Sequence, residues 1–200
     1  MGKHVLDYMV RSRRLSPEFK EVYRNRYRDP VYLVDYILSN PNSRTRVGVV
    51  EFSLAEIFSA VRDEARSILL LLNGVPLSRW GSRRHTSHVR IPMSMGEKIY
   101  RLTMEAFDEL FYEGGIEILA TASPTDYPDF FPVYSSLLFY NPELTTQDAI
   151  LLTTAIFEKA NYFVTEDTVI RRLSRRLEEN YGLTVLNSRN ALDRYRQYAG

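Results

Sequence analysis

The chain has 200 residues, 44% of them hydrophobic and 26% charged, with a formal net charge of +1. That length suits one α/β domain, or one domain carrying an insertion, and the composition excludes the disordered and collagen-like classes. The absence of cysteine excludes disulfides, thiolate zinc sites and cysteine nucleophiles, so any metal must be held by oxygen or imidazole ligands.

The longest uninterrupted apolar run, Ile68 to Leu72, is too short to cross a bilayer, and Met1 to Val10 contains no long apolar leader. The expectation is a cytoplasmic protein with no membrane association. A net charge near zero creates no global field for a polyanion, so a nucleic acid would be held by local basic patches. All but four of the 26 basic residues are arginines, whose planar fork suits bidentate phosphate contacts, although arginine also abounds on thermophile surfaces.

In chain order, His4 to Val10 reads as a buried strand that Asp7 interrupts. Ser16 and Pro17 open a helix as N-cap and first helical residue. Asp29-Pro30 repeats that grammar, which predicts a second helix to about Leu38. Val47 to Phe52 has the β-branched run of a buried strand, and Ser53 is expected to cap a long amphipathic helix ending near Asn73-Gly74. After the irregular stretch Pro76 to Pro92, a helical pattern covers Met95 to Phe111 and a strand covers Ile116 to Thr121. Four prolines between Ser123 and Pro142 leave room for a short helix, Val133 to Tyr140. The remainder alternates: helix Thr146 to Lys159, strand Tyr162 to Thr165, helix Thr168 to Tyr181 stopped by Gly182, strand Leu183 to Leu186, helix Ser188 to Gln197. Such alternation predicts a mostly parallel sheet covered by helices on both faces, a three-layer α/β/α arrangement.

Four acids stand at the ends of these elements. An ionised Asp7 inside a buried strand needs a cation or several donors to compensate it. Glu56 stands three residues after Ser53, a spacing that also makes a capping box, as does Thr145 with Asp148; Asp167 also fits a plain N-cap. Collectively they point elsewhere. A helix of about 14 residues from Thr146 covers about 21 Å and the strand after it returns toward the starting edge, so Asp148 and Asp167 are expected near one another at that edge of the sheet. Asp7 ends one strand and Glu56 lies one turn after the end of another, on that same carboxyl edge, where open α/β sheets bind ligands. Converging carboxylates repel unless a cation lies among them.

These residues carry a resemblance. Val5-Leu6-Asp7, Val50 to Ile57, Leu144 to Ala155 and Tyr162 to Asp167 together resemble the PIN-domain ribonucleases, the family that includes the VapC toxins of toxin–antitoxin pairs. The most specific part is Asp148-Ala149 at the head of an apolar helix, followed by Thr165-Glu166-Asp167 at a strand end. The resemblance implies one PIN-like domain over residues 1–200, with about 76–141 an insertion or elaboration. It maps the family's metal-binding and catalytic acids onto Asp7, Glu56, Asp148 and Asp167, with Thr165 supporting them. Tyr8 and Met9 stand where the family carries a small polar pair.

The implied activity is endoribonuclease: RNA phosphodiester hydrolysis with Mg²⁺ or Mn²⁺, leaving 5′-phosphate and 3′-hydroxyl ends. A protein antitoxin and a homodimer are the partners the resemblance suggests. Arg79, Trp80, Arg83, Arg84, Arg171 and Arg172 are candidate RNA contacts, with a solvated loop and ordinary helix solvation as the competing accounts. His85 and His88 lack a third ligand for a metal. The functional alternative is a PIN-like module that binds nucleic acid or protein without cutting. A phosphatase with an aspartate nucleophile lacks its Asp-x-Asp, and no glycine-rich phosphate loop is present.

Overall fold

The computed structural model describes residues 17–80 and 89–199. They form a helix-dominated α/β structure with four short strands, grouped as two two-stranded parallel sheets. By internal contacts the chain divides into two compact units: one contains the described residues among 17–31 and 55–115, the other 32–54 and 116–199.

The helix α1, Pro17–Ser39, is continuous through Pro30, where the sequence predicts a break. Pro30 offers no N–H to the carbonyl four residues before it, a loss that costs about 3 kcal/mol in a helix interior. Tertiary packing beyond it offsets the loss. Leu33 is buried, Tyr36 meets Tyr195 edge to face at 6.2 Å, and the carbonyl of Asn40, just past the helix, accepts a 3.0 Å bond from the Tyr195 hydroxyl.

Strand β1, Gly48–Val50, passes directly into helix α2, Glu51–Leu72. The helix therefore starts two residues before Ser53, and the predicted capping box of Ser53 with Glu56 does not form at its N-terminus. β1 pairs in parallel with β2, Glu117–Leu119, in the register Gly48 to Glu117 and Val50 to Leu119. Leu119 explains the glycine: a Cβ on Gly48 would stand 2.7 Å from its Cδ1 and 2.8 Å from its Cγ.

In the first unit the later part of α2 packs on α3, Met93–Phe107, around buried Ala65, Ile68 and Ile99. Thr103 is fully buried there, and its hydroxyl donates to the Ile99 carbonyl at 2.9 Å. The predicted helix to Phe111 instead changes to a π-helical stretch, Asp108–Glu113. Phe107 contacts both Phe58 and Phe111 edge to face.

The second unit contains both strand pairs. Its helix α4, Phe130–Tyr140, starts three residues earlier than predicted, with Pro132 in the first turn where its missing N–H is harmless. Then come α5, Thr146–Phe157, and β3, Tyr162–Val164. The predicted helix from Thr168 to Tyr181 is two helices, α6, Thr168–Arg172, and α7, Ser174–Tyr181. They divide at Leu173, whose N–H bonds three residues back to Ile170 and whose side chain packs on the core. Gly182, the stop expected from the sequence, ends α7 at φ 68° in the left-handed conformation. Strand β4, Thr184–Leu186, pairs in parallel with β3, and α8, Ser188–Ala199, completes the chain.

The core of this unit joins Leu137 of α4, Ala149 and Leu152 of α5, Ile170 of α6, Leu177 of α7 and Leu183 and Val185 at β4. Each fully buried leucine contributes about 1.5–3 kcal/mol. A polar tie also fixes α5: the buried Thr154 hydroxyl oxygen accepts from the Ala122 N–H at 3.0 Å, three residues past β2. Among the described residues no helix is long and apolar enough to cross a membrane.

Candidate functional site

Asp148 is positioned by the start of α5. Thr145 is the N-cap in extended backbone, and its Oγ1 accepts from the Asp148 N–H at 3.1 Å. In return Asp148 Oδ2 accepts from the Thr145 N–H at 3.1 Å and from its hydroxyl at 2.6 Å. The capping box foreseen for this aspartate is thus present. It engages Oδ2 alone; Oδ1 takes part in none of these bonds.

Asp167 is the N-cap of α6. Its Oδ1 accepts from the N–H of Val169 at 2.6 Å and of Ile170 at 3.3 Å, and Oδ2 takes part in neither bond. Thr165 sets its backbone: the Thr165 N–H donates to the Leu186 carbonyl at 2.9 Å, anchoring it to β4, and Thr165 Oγ1 accepts from the Asp167 N–H at 3.0 Å. Each aspartate orients its carboxylate through one oxygen, and the other oxygen takes no part in the cap.

The two aspartates stand on elements rooted in one core. Ala149, next to Asp148, and Ile170, three residues after Asp167, both belong to its buried cluster. Arg172 of α6 reaches Glu143, two residues before Thr145, at 3.0 Å. Glu56 is half-buried in the second turn of α2, within the other compact unit. Asp7 lies outside the described residues. Among the described residues, no group of three or more histidine, aspartate or glutamate side chains is arranged to hold a metal ion.

The candidate RNA contacts separate. Arg171 and Arg172 are exposed on α6, and the last turn of a helix favours their charge. Arg175 pairs with Glu179 at 2.7 Å, the i,i+4 bridge its spacing suggests. Arg79 is exposed, whereas the Trp80 indole N–H donates to the Val75 carbonyl at 2.9 Å, so this ring is half-buried and tied to its own loop. Arg83, Arg84, His85 and His88 lie outside the described residues.

Sequence reasoning passed over Glu166 and Glu143. Glu166 Oε1 accepts from the Ser188 N–H at 2.8 Å, which ties the Thr165-Glu166-Asp167 turn to the start of α8. Neither glutamate has a local signature, because each meets a partner remote in sequence. No protein-family model, curated protein or solved structure matches the chain.

Proposed function

We infer that the protein is a PIN-type endoribonuclease that hydrolyses RNA phosphodiester bonds with Mg²⁺ or Mn²⁺ held by Asp7, Glu56, Asp148 and Asp167. One observation carries this reading: Asp148 and Asp167, at the starts of two helices anchored in one core, are each oriented through a single carboxylate oxygen, with the other outside the cap. All-oxygen donors in a chain without cysteine are the chemistry that hard dications prefer.

A bound dication supplies an acidified water and stabilises charge on the phosphorus and the leaving oxygen. The chain's own residues supply position. Thr145 fixes the rotamer of Asp148, and Thr165 fixes the backbone from which Asp167 projects. Glu56 serves as a ligand or takes a proton from the attacking water, and Arg171 and Arg172 neutralise flanking phosphates. One central sheet in three layers is part of the same proposal. So are a cytoplasmic setting and, from the family resemblance, an antitoxin partner and a homodimer.

The test is Mn²⁺ titration by calorimetry alongside cleavage of a labelled RNA. Asp7→Asn and Asp148→Asn are expected to lose Mn²⁺ binding and cleavage while keeping the far-UV spectrum. Undiminished cleavage by either rigorously purified variant would overturn the reading.

A further inference from the structure

The described surface of the second unit has a cleft of about 160 Å³ between α4 and α7, whose lining includes Tyr140, Asn141, Arg176 and Asn180 over a floor of Leu137 and Leu177. Tyr140 is 68% exposed although it belongs to an apolar helix, and Phe139 beside it is 86% exposed. The Arg176 guanidinium stands 5.4 Å from the centroid of the Tyr140 ring and donates to the Tyr140 carbonyl at 3.3 Å. The ring is thereby braced by a cation while most of its surface faces solvent. Asn141 uses its Nδ2 on the Leu137 carbonyl at 3.1 Å, which leaves its Oδ1 outside that bond. Asn180 is exposed at the rim.

Charge adds a second, independent observation. Arg171, Arg172, Arg175 and Arg176 line α6 and α7. Among the described residues Arg172 and Arg175 are paired, with Glu143 and Glu179, and no carboxylate is paired with Arg171 or Arg176. A cation-backed aromatic ring, amide groups able to meet a base edge and two unpaired guanidiniums are the elements by which proteins hold unpaired RNA. Along the chain the cleft's residues lie a few positions from the candidate acids. Asn141 leads through Glu143 to Thr145 and Asp148, while α6 leads from Asp167 through Arg172 toward Arg176.

We propose that the cleft between α4 and α7 is a subsite for one unpaired base of single-stranded RNA, which stacks on Tyr140 while Arg176 and Arg171 hold adjacent phosphates. It deepens the ribonuclease reading, on which it rests, by naming how an unpaired substrate strand is gripped. Stacking is sequence-tolerant because every base has a π-face, whereas Asn141 and Asn180 supply the groups that discriminate among base edges.

The test is fluorescence anisotropy of the full chain with a labelled oligouridylate in EDTA, where metal-dependent cleavage cannot interfere. Tyr140→Leu is expected to raise Kd about tenfold, the scale of one lost base stack, while Tyr140→Phe retains binding. Arg176→Gln is expected to weaken binding and flatten its salt dependence. Circular dichroism confirms that these surface variants fold. A Kd for Tyr140→Leu within twofold of the parent, no binding by the parent, or equal competition from polyglutamate would each overturn the subsite. Its failure is distinguishable from that of the nuclease reading. Mn²⁺ binding with an RNA affinity indifferent to Tyr140 sinks the subsite alone; a Tyr140-dependent affinity in a chain that binds no Mn²⁺ sinks the nuclease reading and keeps an RNA-binding one.

Discussion

Asp167 caps α6 through Oδ1, and asparagine caps a helix nearly as well as aspartate. Asp167→Asn is therefore expected to change unfolding free energy by less than about 0.5 kcal/mol, whereas Asp167→Ala should cost about 1 kcal/mol. If the other oxygen holds a cation, both substitutions should weaken Mn²⁺ binding alike. Urea denaturation and metal titration on the same two variants separate the roles, and a metal affinity that tracked stability would show the carboxylate to be only a cap. Residue identities made much of this legible. Thr145 with Asp148 reads as a capping box in the sequence and is one in the structure. Ser53 with Glu56 reads the same way but is not one at the N-terminus of α2, because the helix already starts at Glu51. A spacing rule cannot register where the preceding strand ends.

Among the elements, local signals located most helices and strands, and the departures have tertiary causes. Pro30 predicts a break that Leu33 and Tyr36 override by packing, and Leu173 divides a helix that its sequence would continue. Tyr195, which meets Tyr36, is remote from it in sequence. The tie between α5 and the loop after β2 gives a direct test. Thr154→Val retains shape but leaves the Ala122 N–H without its acceptor in a buried setting, an expected cost of about 1–3 kcal/mol in urea unfolding. Tyr195 links α8 to the end of α1, and burial holds its phenol pKa above the usual value. Because the folded state retains this proton to higher pH, its contribution is complete below the ordinary tyrosine pKa of about 10 and is lost as pH rises through the folded pKa. Tyr195→Phe is expected to lower stability by about 1 kcal/mol at neutral pH and to flatten the alkaline fall; an unchanged alkaline limb would exclude Tyr195 as its source.

For the molecule as a whole, composition and alternation indicated a mixed α/β protein with parallel strand pairing, and both described strand pairs are parallel. The division into two compact units was not legible, because the helical pattern of Met93 to Phe107 looks the same in an insertion as in a separate core. The net charge of +1 places any grip on RNA in local patches. With Arg171, Arg172 and Arg176 as the phosphate contacts, log Kd for single-stranded RNA should rise with log salt at a slope of about 2, and each Arg→Gln change should reduce it by about 0.7. A slope near zero would remove these arginines from the RNA path.

The most direct measurement is calorimetric titration of Mn²⁺ into the parent chain and into Asp148→Asn, paired with cleavage of a labelled single-stranded RNA under the same conditions. The expected result is saturable Mn²⁺ binding and Mn²⁺-dependent cleavage by the parent, both lost in Asp148→Asn with its fold retained. A parent chain that neither binds Mn²⁺ nor cuts RNA, or a variant that does both as well as the parent, would contradict it.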